Sequence, residues 1–110
     1  MKMNERNIER ILDVLQFSIQ HYGKTFMDDD IYKEYPNVTK NVIDLLVENE
    51  VITSTMDGNS FDETNIENFR AFLSDLQDEV DELKISEKEK NDILSKINFN
   101  LNFNFNMLNI

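Results

Sequence analysis

Few side chains in this sequence are of a type and at a spacing that do chemistry. His21 is the sole histidine, and Ser18 stands one helical turn before it. A nucleophile and a base can face each other at that spacing. Catalysis would also need a third group to orient the base and donors for an oxyanion, and the neighbouring sequence supplies neither. Gly23-Lys24-Thr25 matches the end of a phosphate-binding loop, but that pattern requires a further glycine where Ser18 stands, after a strand rather than inside a helix. Asp28-Asp29-Asp30 carries oxygen ligands of the kind hard cations take. Consecutive side chains at a helix start point apart, however, and three acids at a positive helix N-terminus need no metal. Asp57-Gly58-Asn59 lacks the later Gly and Glu of a calcium loop. The expectation is therefore no enzyme, no cofactor and no metal site.

What remains is charge. The chain has 110 residues, with 22 acidic side chains against 11 basic ones and a formal charge of −11. The sequence pI is near 4.3. Sequence-independent grip on phosphates rests on Lys and Arg displacing counterions, so direct nucleic-acid binding is not expected. Absence of cysteine removes disulfide frameworks, thiolate zinc sites and thiol catalysis. Hydrophobic residues make up 40%, enough for one modest core. The first thirty residues do not resemble a signal peptide, and no run of apolar residues is long enough to span a bilayer. The expected location is the cytoplasm of a bacterial cell or of a phage-infected host.

The elements that must position these charges follow from periodicity. Ile8, Ile11, Leu12, Leu15, Ile19 and Tyr22 recur at three- and four-residue steps and predict a helix from about Glu5 to Tyr22, stopped by Gly23. Val14 and Phe17 lie off that stripe and are expected to meet a later element. A short helix is predicted over Asp28 to Tyr35, ended by Pro36, and another over Thr39 to Asn49. Val51 to Thr55 and Asn59 to Phe61 read as strands flanking an Asp57-Gly58 turn. Thr64-Asn65-Ile66-Glu67 reads as a capping box that opens a helix to about Leu83, with a seam of Ile66, Phe69, Leu73, Leu76, Val80 and Leu83. A second capping box, Ser86 to Glu89, opens a helix to about Ile97.

The tail admits two readings. From Asn98 to Met107, asparagine alternates with Phe99, Leu101, Phe103, Phe105 and Met107, the period of a strand with one apolar face. Leu94, Ile97, Leu101, Phe105 and Leu108 also fall at helical steps. Asparagine is a poor helix former, so the strand is preferred. A charge-free Asn/Phe alternation is an aggregation hazard, and the tail is expected to be covered by its own core or by a second chain.

The order helix, helix, helix, strand–turn–strand, helix resembles the winged helix-turn-helix superfamily from Ile8 to Leu83. The features that carry it are the short helix ended by Pro36, the helix Thr39–Asn49 and the Asp57-Gly58 hairpin as a wing. Small phage and mobile-element proteins look similar, with a long helix just after the wing. The resemblance implies a mainly α fold with a small β-hairpin. Residues 1–83 would form a winged-helix-like domain, and 84–110 a C-terminal helix and Asn/Phe-alternating tail packed on it or on a second copy. It also implies that the third helix would enter the DNA major groove.

Charge argues against that last use. On a wheel of about 100° per residue, Val42, Ile43, Leu46 and Val47 gather on the core side of the third helix. The outer side carries Asn41, Asp44 and Glu48, with Lys40 at its margin. On the fourth helix Glu67, Asp75, Asp78 and Glu82 form one line opposite the seam, broken only by Ala71. Such a line can imitate the phosphates of a nucleic-acid strand, or it can simply keep a small protein soluble. The expected function is a non-enzymatic, protein-binding module whose acidic surface occupies a basic nucleic-acid-binding surface of its target. That would resemble some phage-encoded anti-defence and anti-CRISPR inhibitors. Glu67, Asp75, Asp78 and Glu82 would be the binding residues, with Asp44 and Glu48 second. The alternative is a transcriptional regulator that binds DNA as a homodimer, built through the 66–83 seam or the 98–110 tail.

Overall fold

In the computed structural model, which describes residues 4–105, the first apolar stripe forms α1 (Glu5–Gln20). Its start is fixed by Asn4, whose side-chain oxygen accepts from the Asn7 amide at 2.9 Å. Its end is fixed by Gly23, at φ 77°, whose amide donates to the Phe61 carbonyl at 2.8 Å and so ties the helix terminus to a distant part of the chain. Val14 and Phe17 are both buried, and Phe17 meets Phe26 edge-on with ring centroids 5.2 Å apart.

Next come β1 (Thr25–Phe26), α2 (Asp28–Glu34) and α3 (Lys40–Glu48). The Asp30 carboxylate closes the start of α2 by accepting from the Met27 amide at 2.9 Å. Helix α3 packs on α1 through Val42, Ile43 and Leu46, all buried. Beyond α3 the chain turns at Glu50, at φ 58° the one non-glycine described residue with left-handed backbone. Val51 and Ile52 then bury their side chains before pairing begins, which makes the strand shorter than its β-branched run predicts.

The hairpin consists of β2 (Thr53–Thr55) and β3 (Gly58–Ser60). Thr55 pairs with Gly58, so the two loop residues are Met56 and Asp57, one position earlier than the Asp-Gly signal suggests. Glycine is needed at 58 for a different reason. At φ 129°, a Cβ there would come within 2.8 Å of the Phe26 carbonyl oxygen. That close approach exists because β1 joins the sheet. The strand order is β1-β3-β2, all antiparallel, with Phe26 opposite Asn59.

The capping signal before the fourth helix is displaced by two residues. Asp62, not Thr64, is the capping residue: its carboxylate accepts from the Thr64 amide, and Asn65 Oδ1 accepts from the Asp62 amide. A single 3-10 turn (Glu63–Asn65) results, and α4 (Ile66–Asp81) follows it. Asn65 is buried and also donates to the Glu50 carbonyl at 3.0 Å, which ties this turn to the α3–β2 corner. The seam residues Phe69, Leu73, Leu76 and Val80 are fully buried within this chain, while Ile66 and Leu83 at its ends are half-buried.

The strand preferred for the tail is not formed over its first half. Helix α5 (Glu87–Leu101) runs through Asn98 to Leu101, packed along α4 and against α1. The apolar faces of α4 and α1 select the helical period, because it delivers Ile93 and Ile97 to them. After α5 the chain brings Phe105 back onto Phe61 and Phe69, at centroid distances of 5.7 and 5.4 Å. Through Phe105 the tail therefore covers its own core. The remainder of the tail, with Met107 and Leu108, lies outside the described residues. The architecture is mainly helical with a small three-stranded antiparallel sheet.

Candidate functional site

The motifs set aside in the sequence are used locally. The Ser18 hydroxyl is buried and donates to the Val14 carbonyl at 2.8 Å. His21 Nδ1 donates to the Phe17 carbonyl at 2.9 Å, and its ring stacks on Phe17 with centroids 4.0 Å apart. The hydroxyl and the imidazole thus face different partners. Asp28, Asp29 and Asp30 diverge as expected, with Asp28 and Asp30 committed to different donors. Among the described residues no three His, Cys, Asp or Glu side chains converge as metal ligands would. Nor is any described helix long and apolar enough to cross a membrane.

The six acidic positions singled out for binding divide into two kinds. Asp44 belongs to a compensated cluster. Lys40 Nζ lies 2.8 Å from Asp28 and 3.3 Å from Asp44, bridging α2 and α3. The second Asp28 oxygen accepts from Asn59 Nδ2 at 2.6 Å, which links the cluster to the sheet. Burial pushes the Asp28 carboxyl up, but the hydrogen bonds from Lys40 and Asn59 and the Lys40 charge outweigh it, leaving a net shift below the ordinary value of 3.8. Lys40 is raised above 10.5, chiefly by its hydrogen bond to Asp28. Asp44 thus stands in an ion pair with Lys40 while its side chain stays half exposed. Glu48, in the last turn of α3, is exposed.

The four α4 acids are of the other kind. Glu67, Asp75, Asp78 and Glu82 are all exposed, and none takes part in an ion pair among the described residues. Ala71 is exposed between them. At 1.5 Å per residue, the line from Glu67 to Glu82 spans roughly 22 Å. The opposite face of α4 is held by the buried Phe69, Phe72, Leu73, Leu76 and Val80, so the line sits on a rigid support. Glu67 lies in the first turn, where a carboxylate is favoured, but the far end of the line is unfavourably placed. Asp78 lies in the last turn and Glu82 at the C-cap, where the macrodipole is negative, and that turn contains no basic residue. Lys90 of α5 offsets this in part by donating to the Asp81 carbonyl at 3.0 Å.

Sequence reading missed the part played by Lys40 and Asn59. The i,i+4 spacing of Lys40 and Asp44 is a legible pairing signal. The approach of Asp28 and Asn59, thirty-one positions apart, carries none. No protein-family model, curated protein or solved structure matches this chain.

Proposed function

We propose that this chain is a non-enzymatic binding module whose α4 face, through Glu67, Asp75, Asp78 and Glu82, docks a basic surface of a partner protein. The partner surface that fits is one built to hold nucleic acid, and occupying it would make the module an inhibitor. The observation that carries this reading is the uncompensated line of carboxylates running into the negative end of a rigid helix. Each acid in the last turn costs about 0.3–1 kcal/mol there. Among the described residues the fold compensates Asp28 and Asp44 but gives this line no ion pair, as a surface kept for an external cation would be.

The core that presents it is of winged-helix type. Strand β1 between α1 and α2, the α2–α3 pair and the sheet order β1-β3-β2 support that assignment. Its groove-facing helix is poorly fitted to DNA, since Lys40 is held by Asp28 and Asp44.

The test is to isolate a partner with the intact chain and rebind it with the variant Glu67→Ser, Asp75→Ser, Asp78→Ser, Glu82→Ser. Binding should weaken about tenfold or more, lose most of its salt dependence and be displaced by duplex DNA. Unchanged affinity and salt dependence would overturn the reading. A specific mobility shift of DNA at low salt would transfer the assignment to a dimeric winged-helix regulator.

A further inference from the structure

With no cysteine in the chain, methionine is its oxidisable sulfur. Two methionines fall among the described residues, and the fold leaves both of them open to solvent. Met27 joins β1 to α2 and is 53% exposed. Met56 is one of the two loop residues of the hairpin and is fully exposed. An exposed thioether reacts with peroxides, and the product is no longer apolar.

The two side chains line one cleft of about 340 Å³ between the hairpin and the starts of α2 and α3. They are not equivalent there. Met56 extends from the hairpin tip into solvent. Met27 instead lays its sulfur against the hairpin backbone: a Cβ placed on Gly58 would lie 2.9 Å from Met27 Sδ. The sulfur thus covers the face that the glycine leaves bare, and no space for a further atom remains between them. The next residue of β3 is Asn59, which is buried and donates from Nδ2 to Asp28 at 2.6 Å. One side of the Met27 sulfur therefore touches the hairpin while the residue as a whole stays open to small reagents.

We propose that Met27 is a reversible oxidation site whose state is passed to the hairpin, with hydrogen peroxide as the oxidant. The sulfur lone pair attacks one peroxide oxygen, and an S–O bond forms as the O–O bond breaks. The second oxygen leaves as hydroxide and takes the proton of the first, giving water and a sulfoxide. Sulfur loses an electron pair and the peroxide gains it. The sulfoxide is polar and chiral, and reductases specific for each epimer return it to the thioether. Because Gly58 closes one side of the sulfur, the new oxygen must face the cleft or the side chain must withdraw from the glycine. Either outcome changes the surroundings of Gly58 and Asn59. Oxidation of Met56 alters only a side chain in solvent. The site does not rest on the α4 reading, since none of the residues named lies on α4.

The experiment oxidises the folded chain with hydrogen peroxide and follows peptide masses and backbone amide signals. Peptide masses keep Met27 and Met56 apart from the methionines outside the described residues. Both should gain one oxygen, with Met27 reacting within about tenfold of the rate of Met56, since both are exposed. The amide signals of Gly58 and Asn59 should each give way to two new ones, one for each epimer. The reductase for one epimer should remove one new set and the second reductase the other, restoring the original spectrum. Met56→Leu should show the same doubling. Met27→Leu, a change of similar volume at an open position, should still oxidise at Met56 but without the doubling. The proposal is overturned if Met27 stays reduced once Met56 is fully oxidised, or if a sulfoxide at Met27 leaves the Gly58 and Asn59 signals in place. It is equally overturned if Met27→Leu shows the doubling.

Discussion

Two groups of carboxylates, one between α2, α3 and the sheet and the other along α4, are made of the same residue types and are treated in opposite ways. Asp28 and Asp44 share Lys40, and Asp28 accepts from Asn59 as well, so their charges hold three elements together. Glu67, Asp75, Asp78 and Glu82 form no ion pair among the described residues. The first group stabilises because cations and amide donors were brought to it by the fold. The C-terminal members of the second oppose the dipole of their own helix and are tolerated because the other side of α4 is so fully buried.

Both regions are expected to unfold as one body, and the largest expected effect is at the contact that joins them. Phe105 clasps the end of α5 to Phe61 and Phe69. Phe105→Ala should cost about 3–5 kcal/mol in denaturant unfolding, in a single transition for both regions. Two separated transitions would mean that the α4–α5 pair is an independent unit.

A smaller loss is expected from Asp28→Ala, about 1–2 kcal/mol, since it removes a charged acceptor while leaving Asn59 Nδ2 without its partner. The pH dependence has a defined sign. The folded carboxyl of Asp28 lies below its ordinary 3.8, so its contribution is present above that value and is lost as pH falls through the folded pKa. Lys40 is raised above 10.5, so its contribution is present below that value and fades as pH rises through the folded pKa. Acid titration of Asp28→Ala beside the parent should remove part of the acid-limb slope. An unchanged slope would place that linkage elsewhere.

On α4 the sign reverses. Asp75→Asn, Asp78→Asn and Glu82→Gln together should raise stability by about 0.5–1 kcal/mol at low ionic strength, through relief of like-charge pairs and the helix dipole. The gain should shrink in about 0.5 M salt. A loss of stability would show that these acids have internal partners after all. The smallest effect is expected at the corner before the sheet. Glu50→Gly removes left-handed strain of about 1–2 kcal/mol but adds unfolded-state freedom of about 0.4–1 kcal/mol, for a net gain near 0.5 kcal/mol in thermal unfolding.

Much of the helical framework was legible locally. Asn4 to Gly23, the capping Ser86 and the three–four spacing of the α4 seam are short-range signals, and they place α1, α4 and the start of α5 within a few residues. The line of acids on α4 was legible for the same reason. Strand β1 was not, because two residues carry no periodicity and Thr25-Phe26 becomes a strand only when β3 lies beside it. The Asp28–Asn59 bond and the contact of Met27 with Gly58 unite residues far apart in the chain, with no pattern to announce them.

The end of the chain draws that line most clearly. Its composition and spacing determined that an apolar face exists, and they were compatible with periods of both two and about three and a half residues. Only the tertiary structure decided between them, because the buried sides of α4 and α1 reward the period that delivers Ile93 and Ile97 to the core. Asn100 went inward and Phe99 outward as a consequence of that choice. Local sequence determines which side chains repeat on a face; the free energy of packing against distant elements determines which repeat is used.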